Sequence, residues 1–309
     1  MEDYPRTILE LERRFSTEEH CAEYLAKLRW PDGFVCPCCG GAKAWAASRG
    51  RFVCRGCRRQ TSVTAGTVFQ GTRKPLTLWF RAIWLVTSQK QGVSAASIQQ
   101  VLGLGSYQTA WTWLHKLRRA MVRPGRDKLH GVVETDETYV GGEDPKDGTW
   151  VERKSLVVIA AEEDGNGIGR IRLATIPAAT RKHLHRFVKE VIDPGSVVHT
   201  DGASAYEGLE RFGYAHDRTV LLGRKDRNAA SKLLPRVHRV ASLLKRWLLG
   251  THQGAVSAEH LDYYLDEFTF RFNRRTSRSR GKLFYRLLQQ AVQIAPTTYQ
   301  SITSTDPTE

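Results

Sequence analysis

The sequence lacks any apolar run close to the roughly 18 residues that a membrane-spanning helix needs. Its first residues, Met1 to Pro5, do not show the basic and then apolar pattern of a secretory signal peptide. Cysteine is scarce outside one segment, because five of the six cysteines lie between positions 36 and 57. Scattered disulfides are therefore not expected, and we predict a cytoplasmic protein.

Acidic residues are in short supply, since 32 Asp and Glu face 47 Lys and Arg and leave a formal net charge of +15. This excess favours nucleic acid or another anionic surface as the partner, although a merely soluble basic protein is the alternative. The hydrophobic fraction of 41% is enough for packed cores, and 309 residues suit two or three domains.

The clustered cysteines form two Cys-x-x-Cys pairs, Cys36 with Cys39 and Cys54 with Cys57. Two residues between ligands allow one turn to aim both thiolates at a tetrahedral Zn²⁺. Metal binding can also fold a segment too small to hold itself together. We therefore predict a structural zinc ribbon, with Cys38 as a spare thiol and redox-active cysteines as the alternative.

Basic residues surround the second cysteine pair and favour DNA as the ribbon's partner. They are Arg55, Arg58 and Arg59. Farther along, helical spacing over residues 75–121, a glycine turn at 103–105 and outward polar residues such as Lys116 and Arg119 resemble a helix-turn-helix. A helical linker bundle without DNA contact is the alternative.

The segment from 128 to 222 alternates strands with helices. The predicted strands are 132–140, 155–161, 168–176 and 196–201, and the predicted helices are 180–192 and 203–211. Three strands in a meander followed by helix, strand and helix is the order of a ribonuclease H-like core. We therefore predict a multidomain α+β protein, with an N-terminal zinc ribbon, a helical helix-turn-helix-like region and a ribonuclease H-like α/β catalytic core.

The chain is expected to divide at changes of pattern. The predicted segments are 1–30 (helical), 31–70 (zinc ribbon), 71–127 (helical, DNA-binding), 128–292 (catalytic) and 293–309 (tail). Residues 223–235 are polar and basic and predict a loop.

Two aspartates lie near the ends of β-branched runs, Asp136 and Asp201. An acidic side chain in an apolar strand is costly to bury unless a metal or a cation neutralises it. After Pro235, a helix places His238 and Lys245 two turns apart on a common side. In a basic protein, this pattern favours metal-dependent chemistry on a polyanion.

Positive charge also accumulates beside aromatic residues near position 272, a composition that suits phosphate contacts, with a solvated face as the alternative. The predicted DNA-binding residues of the C-terminal half are Arg246, Arg271, Arg274 and Arg275.

Four stretches together resemble the insertion-sequence transposases of the IS1595 type, which carry the ISXO2-like transposase domain. They are TDETYVGG (135–142), HTDGASAY (199–206), LLKRWLLGTH (243–252) and YLDEFTFRFNRR (264–275). The cysteine pairs and the following Thr-Val-Phe at 67–69 fit the same family, so the resemblance covers roughly residues 15–292.

The resemblance implies a DDE-type enzyme that holds two Mg²⁺ or Mn²⁺ ions and runs in-line phosphoryl transfer on double-stranded DNA. Asp136 would bridge both ions and Asp201 would hold one. The partners implied are the element's terminal inverted repeats, a target DNA and further copies of the chain, in a homodimer or a higher oligomer. A prokaryotic, nucleoid-associated location is also implied.

The third metal ligand departs from the family pattern, which usually offers Glu seven residues before Lys or Arg. Here His238 stands seven residues before Lys245. Imidazole can bind Mn²⁺ or Mg²⁺, and we predict His238 as the ligand, with Asp262, Asp266 and Glu267 as alternatives. Glu267 could instead pair with the arginine four residues later.

Two further carboxylates flank Asp136. Strand alternation places Glu134 on the same face, where it could support the site, and sends Glu137 to the opposite face. The alternative function is a DNA-binding regulator with an inactive transposase-derived core, which the histidine at position 238 favours. A structure-specific nuclease without strand transfer would share the metal site but would not need two recognition modules.

Overall fold

The computed structural model describes residues 2–47, 50–123, 125–141, 154–219, 233–254 and 256–304. The strands are β1 (Ala44–Ala47), β2 (Arg51–Cys54), β3 (Gln60–Ser62), β4 (Val132–Val140), β5 (Ser155–Asp164), β6 (Gly167–Ile176), β7 (Val197–Thr200) and β8 (Ala215–Arg218). The helices are α1 (Ile8–Arg14), α2 (Glu18–Arg29), α3 (Leu76–Ser88), α4 (Ala95–Leu102), α5 (Tyr107–Ala120), α6 (Arg181–Val191), α7 (Pro235–His252), α8 (Leu261–Phe272), α9 (Arg280–Ala291) and α10 (Tyr299–Thr303). None of the helices in this described part of the chain is long and apolar enough to cross a bilayer.

The chain divides into two compact units, Met1–Arg123 with Thr276–Glu309, and Pro124–Arg275. In the first unit, β1, β2 and β3 form an antiparallel ribbon. Its helices share an aromatic core in which Phe15 lies 4.7 Å from Phe80 and 6.0 Å from Phe284 between ring centroids. Such packed aromatic pairs supply much of the apolar burial in a small unit.

The C-terminal boundary differs from the one expected from the sequence. We expected the catalytic segment to run to 292, but the structure groups α9 with the first unit. The reason is the apolar face of α9, where Phe284 is fully buried and contacts Phe80 and Trp84 of α3. The predicted tail also contains α10, whose Ile302 is buried. Residues 305–309 of the tail lie outside the described part.

The helical region of the first unit has the elements that the sequence predicts. Ser94 caps α4, and Gly103 ends it at a φ of 61°, in the left-handed region that favours glycine. Helix α5 follows after a short turn. On α5, Arg119 is exposed, whereas Lys116 is half-buried, and burial lowers the pKa of its amine. A DNA-contacting role for these helices stays a prediction.

The second unit is built on a five-stranded sheet with the order β6-β5-β4-β7-β8. Strands β4, β5 and β6 form the antiparallel meander expected from the sequence, and β7 pairs in parallel with both β4 and β8. The predicted helix at 203–211 is wrong, because two short 3-10 segments, Ser204–Tyr206 and Leu209–Phe212, stand there, separated by Gly208 at a φ of 89°.

Helices cover both faces of this sheet. On one face, Val157, Ile159 and Ala161 of β5 pack with apolar residues of α7 and α8, such as Val240 and Phe268. On the other face, Val158 and Ala160 pack with Leu184 and Phe187 of α6 and with Tyr206. Alternate side chains of β5 therefore pack into two hydrophobic cores, one on each face of the sheet. Of the loop predicted at 223–235, residues 223–232 lie outside the described part, and α7 begins at Pro235.

Candidate metal and catalytic sites

The four cysteines of the two pairs converge in the ribbon. Their sulfur atoms all lie within 4.8 Å of one another, with 3.6 Å between Cys36 and Cys57 and 3.5 Å between Cys39 and Cys54. Four thiolates around a tetrahedral zinc with bonds of about 2.3 Å stand roughly 3.8 Å apart. The arrangement therefore fits zinc, and the exposed Cys38 is outside the group, as expected.

The backbone of each cysteine pair closes a tight turn that aims the thiolates. Gly40 donates its N–H to the Cys36 carbonyl at 2.9 Å, and Arg58 donates to the Cys54 carbonyl at 3.0 Å. The backbone N–H groups of Cys39 and Cys38 lower the pKa of the Cys36 thiol to about 6. A thiol that ionises readily suits metal binding, because the thiolate is the form that ligates.

The three arginines predicted to contact DNA from the ribbon are all exposed. They are Arg55, Arg58 and Arg59. The guanidinium of Arg58 lies 5.1 Å from the ring centre of Trp45, which is itself 38% exposed. This pairing presents a positive charge and a flat aromatic surface together on the ribbon.

The second candidate site lies on the sheet of the second unit. Asp136 is on the central strand β4, and Asp201 directly follows the neighbouring strand β7. The parallel register pairs Glu134 with His199, so both aspartates stand two residues beyond that pair. Adjacent strands are about 5 Å apart, and the two aspartates are therefore neighbours on two adjacent strands, beyond the point where β4 and β7 pair.

Burial and nearby charges shape the Asp136 carboxylate. Burial raises the pKa of Asp136, and the charge of Asp201 adds to this, while the backbone N–H of Glu137 and the charge of His238 oppose it. The Glu137 N–H donates to Asp136 Oδ1 at 2.8 Å, and the Ala203 N–H donates to Asp201 Oδ1 at 3.0 Å. Within the described ranges, neither Oδ2 atom accepts a hydrogen bond, so both can face a cation.

His238 comes to this edge from the first turn of α7. Its Nε2 lies 3.7 Å from Asp136 Oδ2, which is too long for a hydrogen bond. That Nε2 atom is buried and has no hydrogen-bond partner among the described residues. A buried nitrogen left facing a carboxylate oxygen fits a cation held between the two.

The three proposed ligands do not form a closed group. Within the described ranges, the cysteine cluster is the only one in which three or more ligand atoms all lie within 4.8 Å of one another. Asp201 is thus not close to both Asp136 and His238.

Lys245 is exposed on α7, two turns after His238. It borders a cavity of about 470 Å³ at the end of β4, next to Tyr139 and Gly141. The position agrees with the predicted common side of His238 and Lys245. The similarly exposed Arg246 follows it.

The alternative third ligands make other contacts. Asp262 accepts hydrogen bonds from the Thr175 N–H at 3.0 Å and from the Thr175 hydroxyl at 2.8 Å. Glu267 is buried and accepts from Arg271 at 2.8 Å, which is the pairing four residues apart expected as its alternative role. Burial lowers the pKa of Arg126 while the Asp266 carboxylate opposes it, so Asp266 faces an arginine.

Three arginines predicted to contact DNA have partners within the second unit. Besides the pairing of Arg271, Arg274 lies over the Phe270 ring at 4.0 Å and donates to the Phe270 carbonyl at 3.3 Å. Arg275 donates to the carbonyls of Phe272, Gly169 and Ile168. The contacts of Arg275 tie the end of α8 to β6, and phosphate binding by these arginines stays a prediction.

Glu137 is a residue of the site whose contacts were not predicted. It lies on the opposite face from Asp136, as alternation requires, and accepts a hydrogen bond from the Tyr206 hydroxyl at 2.7 Å. Burial raises the pKa of Glu137 to about 7, and the charges of Asp136 and Asp201 contribute. The bond ties the segment after Asp201 to the strand of Asp136. A tyrosine five residues after Asp201 was the only sequence signal.

Comparisons with known proteins identify two matching domains. Residues 128–273 match the ISXO2-like transposase domain, and residues 16–60 match the transposase zinc-ribbon domain of the same IS1595 group. A protein of the transposable element ISH50 from Halobacterium salinarum is 28% identical over 290 residues, which cover 87% of this chain and 95% of that protein.

Solved structures give weaker likenesses. A chain of the simian T-cell lymphotropic virus intasome is 14% identical with a TM-score of 0.32, covering 65% of this chain and 74% of that one. A chain of a pre-cleavage Mos1 transpososome is 12% identical with a TM-score of 0.29, covering 72% of this chain and 79% of that one. Scores this low do not establish a common fold.

The four-cysteine ribbon and the α/β unit define a zinc-ribbon protein of mixed α/β structure. The two family matches together cover more than half of the 309 residues. The chain belongs to the IS1595-type transposase family, and the prediction of that family and of its zinc ribbon is confirmed. Its role is that of a transposase.

Proposed function

We propose that the protein is the DNA transposase of an insertion sequence, which cuts at the element's terminal repeats and joins the freed end to a target DNA. The topology of the second unit supports a ribonuclease H-like core, because an antiparallel meander is followed by a parallel strand beside its first strand. In this proposal, Asp136 stands on the central strand and Asp201 follows its parallel neighbour.

The observation that carries the proposal is the pairing of His238 with Asp136. A buried imidazole nitrogen without a hydrogen bond among the described residues faces a carboxylate oxygen at 3.7 Å. The unpartnered nitrogen alone does not single out His238, because His185 and His216 also have one; what distinguishes His238 is its position beside Asp136, whose strand pairs with the strand that Asp201 follows. We therefore assign Asp136, Asp201 and His238 as ligands of divalent Mg²⁺ or Mn²⁺.

When bound, two divalent ions stabilise the charge on the entering and leaving oxygens of an in-line displacement. Water attacks the phosphorus at the element's end, and the bond to the 3′ oxygen breaks, leaving a 3′-hydroxyl and a 5′-phosphate. That 3′ oxygen next attacks a target phosphorus, and the target's own 3′-hydroxyl leaves. Asp136, Asp201 and His238 fix the site, and Lys245 supplies positive charge for a phosphate beside it.

DNA recognition is assigned to exposed basic residues outside the cation site. They are Arg55, Arg58 and Arg59 of the ribbon, Arg119 of α5, supported by the half-buried Lys116, and Arg246 of α7. In this proposal, the ribbon and the helix-turn-helix-like helices bind the terminal repeats. Because transposition acts on both ends of one element, we expect a dimer or a higher assembly on DNA.

The test is a cleavage and joining assay with a labelled duplex that carries the element's terminal repeat, in Mg²⁺ or Mn²⁺. Wild type is compared with Asp136→Ala, Asp201→Ala and His238→Ala, and with Asp262→Asn as the matched control for another candidate ligand. We expect the first three variants to lose joining by at least about a thousandfold, since each removes a ligand of the reacting site.

The control is expected to keep joining within a few-fold of wild type. Joining that survives His238→Ala but not Asp262→Asn would move the third ligand to Asp262. Tight binding of the repeat by wild type without any cutting would favour the alternative, a DNA-binding regulator with an inactive core.

A further inference from the structure

The carboxylate of Glu134, near the proposed cation site, accepts three hydrogen bonds. Its side chain is fully buried, on the same face of β4 as Asp136 and two residues before it. Its Oε2 accepts the N–H of Arg236 at 2.7 Å and of Val237 at 3.0 Å, and its Oε1 accepts from the Arg236 guanidinium at 2.9 Å. All three donors belong to the first turn of α7.

These bonds supply the cap that α7 lacks in its own sequence. Leu234 stands at the N-cap position and has no polar side chain to offer, so the N–H groups of the first turn need another acceptor. A side-chain oxygen usually meets the second and third N–H groups of a helix, which here belong to Arg236 and Val237. Glu134 provides that oxygen from a strand about 100 residues away.

We propose that Glu134 is a positioning residue that sets the distance between the ligands Asp136 and His238. This inference rests on the proposed function. The bond to Val237 fixes the helix one residue before His238, and the strand holds Asp136 two residues after Glu134. The bonds of Glu134 to Arg236 and Val237, called the clamp below, therefore link the strand that carries Asp136 to the helix turn that carries His238.

Arg236 reinforces the clamp and neutralises its charge. Its guanidinium also contacts Glu163 at 2.9 Å and donates to the carbonyls of Gly165 and Gly167 at the β5–β6 turn. A carboxylate with no exposure is tolerated only when it is paired and fully hydrogen-bonded. Removing a residue that holds a metal ligand in place typically weakens metal binding about 10- to 100-fold.

A merely structural buried carboxylate is available as a matched control. Glu162 of β5 is 6% exposed and accepts from the His130 N–H, the Arg170 N–H and the Arg170 guanidinium. It resembles Glu134 in burial, charge and donors, but its donors are His130 and Arg170, and none of them belongs to the helix that carries His238. Both Glu→Gln variants are expected to lower the melting temperature, so stability alone does not separate them.

The experiment measures Mn²⁺ binding to the full-length, zinc-loaded protein by the electron paramagnetic resonance signal of free Mn²⁺. The Mn²⁺-induced rise in melting temperature serves as a second readout. The variants are Glu134→Gln, Glu162→Gln and Asp136→Asn. We expect the Mn²⁺ dissociation constant to rise about tenfold in Glu134→Gln and to stay within twofold of wild type in Glu162→Gln.

The outcomes separate this inference from the proposed function. Weaker binding in Asp136→Asn together with wild-type binding in Glu134→Gln would overturn the positioning role and leave the proposed function standing. Wild-type binding in both, or no binding by wild type, would overturn the metal site and this inference with it. If Glu134→Gln does not fold, Glu134→Asp replaces it, since it keeps the charge but withdraws the carboxylate by one methylene, and the same loss is expected.

Discussion

At the scale of single residues, the two cysteine turns of the ribbon end in the same left-handed backbone conformation but with different residue types. Gly40 closes the first turn at a φ of 72°, and Arg58 closes the second at a φ of 63°. The left-handed region costs a non-glycine residue roughly 1–2 kcal/mol. An arginine at this position therefore carries a conformational cost that glycine would avoid, while it places a guanidinium beside Trp45.

Replacing Arg58 by glycine should separate stability from DNA binding. We expect Arg58→Gly to leave the zinc-loaded ribbon as stable as wild type or up to about 1 kcal/mol more stable, because the backbone strain is relieved. We expect affinity for a terminal-repeat duplex to fall several-fold, because a cation on the exposed face is lost. Thermal unfolding and fluorescence anisotropy measure the two effects, and unchanged affinity would remove Arg58 from the DNA-binding surface.

The residue types of the candidate site were readable from sequence, whereas their supports were not. An aspartate in an apolar strand and a histidine seven residues before a lysine indicated Asp136 and His238, which the structure brings to 3.7 Å. The cap by Glu134 joins positions 102 residues apart, so no local pattern contains it. Arg274 and Arg275 carry visible charge, but their carbonyl acceptors depend on tertiary packing.

At the scale of elements, the strands with clear apolar patterns, including the short β7, were predicted within a few residues, whereas β8 and the two 3-10 segments were not. Strand β4 spans Val132–Val140, the range expected from its β-branched run. Strand β8, four mostly exposed residues, was not predicted, because its sequence Ala-His-Asp-Arg has no β-forming pattern. Its pairing with β7 supplies the hydrogen bonds that define it.

Glu162 of β5 pairs with Arg170 of β6, and this pair predicts that the stability of the two strands depends on pH. Burial alone would raise the pKa of Glu162, and the hydrogen bonds and charge of Arg170 outweigh it and hold the pKa below its usual value. A lowered folded-state pKa stabilises the protein above the unfolded-state value of about 4.3, and this stability is lost as pH falls through the folded-state pKa.

Glu162→Gln should therefore lower the opening free energy of β5 and β6 by roughly 2 kcal/mol at pH 7. We expect the difference from wild type to shrink as the pH falls through the lowered folded-state pKa of Glu162, because the protonated carboxyl then resembles the amide. Native-state hydrogen exchange of the β5 and β6 amides at several pH values measures it. A difference that stays constant with pH would show that the ion pair with Arg170 contributes no stability.

At the scale of the whole molecule, net charge does not reveal how many cations are available to DNA. The excess of +15 favoured nucleic acid or another anionic surface as the partner. All three ribbon arginines are exposed, whereas at the end of α8 both Arg274 and the exposed Arg275 donate to backbone carbonyls. Sequence alone could not make this division, because both sets look equally basic.

The salt dependence of DNA binding distinguishes the two sets. Each phosphate neutralised by a protein cation adds about 0.9 to the slope of log affinity against log salt concentration. Arg55→Gln with Arg59→Gln should therefore lower affinity for a duplex and reduce that slope by about 2, with little change in melting temperature. Arg274→Gln with Arg275→Gln should lower the melting temperature and leave the slope unchanged, because these guanidinium groups already bind the backbone carbonyls of Phe270, Gly169 and Ile168.

Anisotropy titrations between about 50 and 200 mM KCl measure both slopes. Equal reductions would mean that the α8 arginines exchange their internal partners for phosphates when DNA binds, and the end of α8 would then join the DNA-binding surface.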